Sequence, residues 1–159
     1  MKRKELVTSV EIYTFDELPH EEQQLIDAAK KACSNSYAPY SNFHVGVALL
    51  LQNKVIITGN NQENAAYPSG LCAERVAVFY ANATYPNIPI KTIAIIAQNQ
   101  IGFIKDPISP CGACRQVLIE TEKRFKSPIR LLLAAENTIY IFKKASVLLP
   151  FQFDDQSLS

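Results

Sequence analysis

The chain has 159 residues, a hydrophobic fraction of 48% and a formal net charge of +1. That length suits one compact domain with a real apolar core. The near-neutral charge, without any Lys/Arg run longer than a few residues, excludes a dedicated nucleic-acid surface, because phosphate neutralisation needs clustered cations. No apolar stretch is long enough to span a membrane, so neither nucleic acid nor membrane is an expected partner. Met1-Lys-Arg-Lys4 is basic, but Glu5 and Glu11 follow with no apolar segment of the kind a signal peptide needs, and a cytoplasmic protein is expected.

Residues 1–19 read as an N-terminal arm and residues 20–159 as the domain proper. Within the arm, Val7 to Tyr13 is rich enough in β-branched residues for a strand. Glu21 to Ser34 is a predicted helix, with Leu25, Ile26, Ala29 and Cys33 on a period of three to four. Pro39 and Asn42 break the next segment into a loop. His44–Leu51 and Lys54–Gly59 form a predicted hairpin about Gln52-Asn53. A polar loop from Asn60 to Gly70 precedes a helix from Leu71 to about Asn82. Ile90–Ala97 reads as a buried strand, Gln98–Pro110 as a connector and Cys111–Lys123 as a helix. Ile129–Ala134 and Thr138–Phe142 are predicted strands, and a short helix or turn follows from Ala145. Helices alternating with strands in this order can cover both faces of one sheet, an α/β arrangement in three α-β-α layers.

The chemistry concentrates in the cysteines. Cys72-Ala-Glu74 and, some forty residues later, Pro110-Cys111-Gly-Ala-Cys114 offer three soft thiolates with a carboxylate beside them. Three protein ligands leave one corner of a zinc tetrahedron open, whereas a structural site closes it with a fourth. An open zinc acidifies bound water to a pKa of about 7, so it supplies hydroxide at neutral pH. Cys111 and Cys114, three apart at a helix start, put both sulfurs on one face. Pro110 suits a helix start. Cys72 opens a second helix, and the positive ends of both favour thiolate. Glu74 is the expected proton shuttle between the attacking water and the leaving group. Three thiolates on Zn²⁺ leave a formal charge of −1, which would blunt the metal as a Lewis acid. Arg75 is the first candidate to balance that charge, and Arg115 the second.

Competing readings are separable. Cys-x-x-Cys alone also serves redox proteins, but that leaves Cys72-Ala-Glu74 unexplained. The two histidines, His20 and His44, have no ligand spacing and read as surface or loop residues. Cys33 reads as a small buried apolar side chain.

Four segments in order resemble the small homotetrameric zinc-dependent cytidine deaminases over residues 20–153. They are Tyr37-Ala-Pro-Tyr-Ser-Asn-Phe-His-Val-Gly46, Asn61-Gln-Glu-Asn-Ala-Ala-Tyr-Pro68, Cys72-Ala-Glu-Arg75 and Pro110-Cys-Gly-Ala-Cys-Arg-Gln-Val117. The resemblance implies a single domain with a five-stranded mixed sheet between helices, and Zn²⁺ as cofactor. It implies hydrolysis of cytidine and deoxycytidine to uridine and deoxyuridine with release of ammonia, as in pyrimidine salvage. It also implies a homotetramer with active sites shared between subunits. Phe43 then matches the aromatic beside base and ribose, Asn61 and Glu63 the pair on the ribose 3′-hydroxyl, and Ala73 a backbone contact to the pyrimidine. Tyr67 matches a loop tyrosine reaching a neighbouring subunit's site, and Phe153 an aromatic supplied across an interface to stack on the base. A carboxylate at the 3′-hydroxyl would repel a 3′-phosphate and so select nucleosides over polynucleotides. The arm and the acidic pair Asp154-Asp155 match no part of this pattern. The remaining alternatives are a deaminase of another aminopyrimidine such as blasticidin S, and a non-catalytic zinc-stabilised interaction module, which would show four protein ligands.

Overall fold

The apolar runs of the sequence become the strands of one sheet in the computed structural model, which describes residues 1–158. In chain order they are β1 (Glu11–Tyr13), β2 (His44–Leu51), β3 (Ile56–Asn60), β4 (Ile90–Gln98), β5 (Arg130–Ala134) and β6 (Ile139–Phe142). The helices are α1 (His20–Cys33), α2 (Ala73–Thr84) and α3 (Gly112–Phe125). Sheet order is β1-β6-β5-β4-β2-β3, with β4 and β5 parallel and every other pair antiparallel. Helix and strand limits fall within a few residues of those expected from the sequence.

The sheet has six strands, not the five expected. The sixth comes from the arm: Glu11, Ile12 and Tyr13 pair with Ile141, Tyr140 and Ile139. Of the β-rich stretch beginning at Val7, only these three residues join β6, which is itself four residues long. They cover backbone groups that β6 would otherwise leave unpaired.

Both faces of the sheet are buried, and this is why its central strands read as continuous hydrophobic runs. Alternate residues still sort to opposite sides. Val47, Leu49, Ile93, Ile95, Leu131 and Leu133 pack with Ala77 and Val78 of α2 and Leu118 of α3. Ala48, Leu50, Ala94, Ile96 and Leu132 pack with Leu25, Ile26, Ala29 and Cys33 of α1. Cys33 is 1% exposed, and burial pushes its thiol pKa up to about 11. It is a core residue.

The strand directions decide where the chemistry can gather. β2 is antiparallel to both β3 and β4, so β3, β4 and β5 all run the same way. α2 follows β3 and α3 follows β4, and both helices pack on the same face. Their N-termini therefore emerge beyond the same edge of the sheet, where α/β proteins place ligands. Gly59 lets α2 sit close to β3: a Cβ there would lie 2.7 Å from Ala77 N and 2.8 Å from Ala73 O.

Those two obstacles are backbone atoms at the start of α2, so neither can rotate away. Gly59→Ala is expected to lower the unfolding free energy by about 1–3 kcal/mol, as overpacking does. An unchanged denaturation midpoint would contradict the close packing.

Candidate functional site

Cys72 and Cys111 occupy equivalent positions. Each is the N-cap of its helix, in extended backbone with φ −69° and ψ 150° for Cys72, and φ −65° and ψ 167° for Cys111. Each carbonyl accepts the first helical hydrogen bond, from Val76 N at 3.1 Å and Arg115 N at 2.9 Å. Pro110 thus precedes the cap of α3, one position earlier than a first helical residue. Cys114 lies in the first turn of α3, with its sulfur 3.5 Å from that of Cys111. The Cys72 and Cys111 sulfurs are 3.8 Å apart, and all three sulfurs lie within 4.8 Å of one another. A tetrahedral zinc with bonds of about 2.3 Å sets sulfurs roughly 3.8 Å apart, so the donor set fits that ion. Disulfide formation needs sulfurs about 2.05 Å apart, and all four cysteines are free thiols.

Charge around the sulfurs is uneven. Hydrogen bonding from Cys114 and from Arg75 brings the Cys72 thiol pKa down to about 5. Cys114 moves far the other way, because it donates to Cys72 and is buried beside negative charge. Three thiolates this close would repel one another, and a bound divalent cation would supply compensating positive charge, coupling its binding to loss of thiol protons. Arg75 Nη2 donates to Cys72 Sγ at 3.5 Å. The hydrogen bonds of Arg115 go elsewhere. Its guanidinium donates to Pro110 O at 2.8 Å, Leu148 O at 3.0 Å and Ser109 Oγ at 2.9 Å, so it fastens the loop before α3 to the turn after β6.

Glu74 is in the first turn of α2, two residues beyond Cys72, and is only 6% exposed. Burial, and the nearby negative charge of Cys72, raise its carboxyl pKa above the usual range. A carboxyl whose pKa is raised holds a proton more readily than an ordinary one, which suits proton transfer.

A cleft of about 570 Å³ opens beside this group. Its wall includes Asn61, Glu63, Tyr67, Cys72 and Arg75, so three of the residues expected to meet substrate share one space with a sulfur ligand. A short backbone ladder builds it. Tyr37 N donates to Asn61 O, Glu63 N to Tyr37 O, and Gln62 and Leu71 exchange a pair of bonds at 2.9 Å. These bonds tie the loop after α1 to the loop after β3, and both to the start of α2. Asn61 uses half its amide capacity on backbone, accepting from Val45 N at 2.8 Å and donating to Phe43 O at 2.9 Å. Phe43, Ala73 and Phe153 are not on the wall of this cleft. Phe43 is half-buried at its edge through that bond to Asn61, and Ala73 is buried against the sheet. Phe153 is 60% exposed, and its carbonyl accepts from Gln116 of α3 at 2.8 Å.

Two features escaped the sequence reading. Asp154 and Asp155, without a role by pattern, bind Lys123 at 2.5 Å and 2.9 Å and so hold the tail against α3 next to Phe153. Glu122 is buried at the far end of α3, where its carboxylate accepts from Ile129 N, Ala145 N and Ser146 N. It fixes the start of β5 and the turn after β6 to α3. Its only sequence signal is a charged residue on the apolar side of a helix.

Residues 19–126 match the family model described as the cytidine and deoxycytidylate deaminase zinc-binding region. The chain belongs to that family. A cytidine deaminase of Sporosarcina psychrophila is 44% identical over 98 residues, covering 62% of this chain and 68% of the relative. The crystal structure of cytidine deaminase from Burkholderia pseudomallei superposes with a TM-score of 0.72 at 39% identity, over 86% of this chain and 100% of that one. Cytidine deaminase from Mycobacterium tuberculosis superposes with a TM-score of 0.65 at 27% identity, over 84% and 97%. No helix among the described residues is long and apolar enough to cross a membrane.

Cys111→Ser should lower the zinc content of purified protein, measured by elemental analysis. Glu74→Gln should keep its zinc and lose 10²–10⁴-fold or more in turnover, roughly the value of positioned acid–base catalysis. Full zinc in the first variant, or an active second variant, would overturn these assignments.

Proposed function

We propose that the chain is a zinc-dependent cytidine deaminase, hydrolysing cytidine and deoxycytidine to uridine and deoxyuridine with release of ammonia. The observation that carries this reading is the juxtaposition of three sulfurs, a buried glutamate and a nucleoside-sized cleft at one edge of the sheet. Cys72, Cys111 and Cys114 would hold the zinc, whose Lewis acidity brings the pKa of water toward about 7. Glu74 takes a proton from the attacking water and passes protons to the ring nitrogen and the departing amine. Arg75 offsets the surplus thiolate charge. Asn61 and Glu63 take the ribose 3′-hydroxyl, Phe43 flanks the sugar and base, and the Ala73 backbone faces the pyrimidine.

The same reading includes a homotetramer. Tyr67 is 76% exposed and Phe153 is held outward on α3, which suits side chains that complete a neighbour's site. Residues 20–159 would form the deaminase domain, of which Ser159 lies outside the described residues. Residues 1–19 would be an accessory arm that adds β1. Free cysteines and a nucleoside substrate suit pyrimidine salvage in a reducing cytoplasm.

A substrate panel tests the activity. Cytidine and deoxycytidine should be turned over, while deoxycytidine monophosphate, free cytosine and blasticidin S should react poorly, and a strong chelator should abolish all turnover. Turnover of blasticidin S without cytidine, or resistance to zinc removal, would contradict the reading. Phe153→Ala should raise KM for cytidine; a fully active monomer by size-exclusion chromatography would remove the shared site.

A further inference from the structure

The carboxylate of Glu63 is not a loose surface group. Residues 38–42 form a single tight turn, closed by Asn42 N donating to Ala38 O at 3.0 Å. Asn42 has φ 53°, a left-handed conformation that asparagine tolerates better than most residues. The turn aims three donors at Glu63. Tyr40 N and Ser41 N reach Oε2 at 2.9 and 3.3 Å, and Ser41 Oγ reaches Oε1 at 2.5 Å.

The direction of the Ser41 hydroxyl is settled by its other partner. Phe43 N can only donate, and it donates to Ser41 Oγ at 3.0 Å. The single hydroxyl hydrogen is therefore free for the glutamate. An ionised carboxylate has about four acceptor positions, and this turn fills three, leaving roughly one. These bonds, the Ser41 hydroxyl first, also hold the Glu63 carboxyl below its usual range. Oε1 is fixed by the hydroxyl alone, whereas Oε2 has the two backbone amides. Ser41 and Glu63 both line the cleft that holds Cys72.

We propose that Ser41 is a positioning residue that orients Glu63 toward a ribose 3′-hydroxyl and thereby sets the preference for nucleosides that carry one. This rests on the ribose role given to Glu63 above. Without the serine hydroxyl, the two amides still hold Oε2, but the carboxylate can swing about that anchor. The acceptor facing the substrate is then no longer preorganised.

The test compares kcat/KM for cytidine and 3′-deoxycytidine in the zinc-loaded enzyme. Ser41→Ala should reduce the cytidine/3′-deoxycytidine ratio on the order of tenfold, the value of one charge-assisted hydrogen bond. The loss should fall on KM for cytidine rather than on kcat. Ser41→Gly also removes the hydroxyl and should give the same fall. Ser41→Thr keeps it and should restore the ratio. Equal losses on both substrates, or no recovery in Ser41→Thr, would overturn the positioning role. An unchanged ratio in Ser41→Ala alongside a reduced ratio in Glu63→Gln would overturn it while sparing the glutamate. An unchanged ratio in Glu63→Gln would overturn the ribose assignment itself.

Discussion

Two α-helices begin at the same edge of one sheet, each capped by a cysteine, and the distance between those caps governs the rest of the molecule. It follows from strand direction: β3 and β4 are parallel across β2, so the helices that follow them start side by side. The separation is then narrowed by close packing, with Gly59 under the first turn of α2. Cys114 joins the pair because it lies one turn into α3 on the same face as Cys111. The large apolar core holds this arrangement together, and zinc can then be kept for chemistry rather than for folding.

Environment gives the two site carboxylates opposite characters. Glu74 is buried against thiolate charge, which favours its neutral form. Glu63 is clasped by a hydroxyl and two amides, which favour its charged form. One is suited to carrying protons, the other to accepting a further hydrogen bond. The two arginines divide in a similar way. Arg75, three residues after Cys72, faces a sulfur, while Arg115, directly after Cys114, serves the backbone of two loops. Closeness to a cysteine along the chain did not settle which arginine faces the sulfurs, because residues at different offsets along a helix leave it in different directions.

Residue spacing made the ligand set legible: Cys-x-Glu and Cys-x-x-Cys are local patterns whose geometry a helix start imposes. The three main helices and the five strands β2 to β6 were equally readable, since runs such as Ile90 to Ala97 have few other uses. What stayed hidden depends on contacts between distant segments. A strand was legible in the arm over Val7 to Tyr13, but its limit to Glu11–Tyr13 and its pairing with the edge of β6 were not. Glu122 becomes a hub only when β5 and the turn after β6 bring it three amides. The acidic tail gains a place only when Lys123 meets it. Asn61 was legible as a loop residue, but its grip on the backbone of Phe43 and Val45 needed the hairpin.

The central claim is an open zinc held by three thiolates at converging helix ends. X-ray absorption at the zinc edge of the loaded protein addresses it directly. The expected spectrum has three sulfur neighbours at about 2.3 Å and one oxygen at about 2.0–2.2 Å. Four protein ligands, whether a fourth sulfur or a histidine nitrogen, would close the site and contradict a catalytic metal.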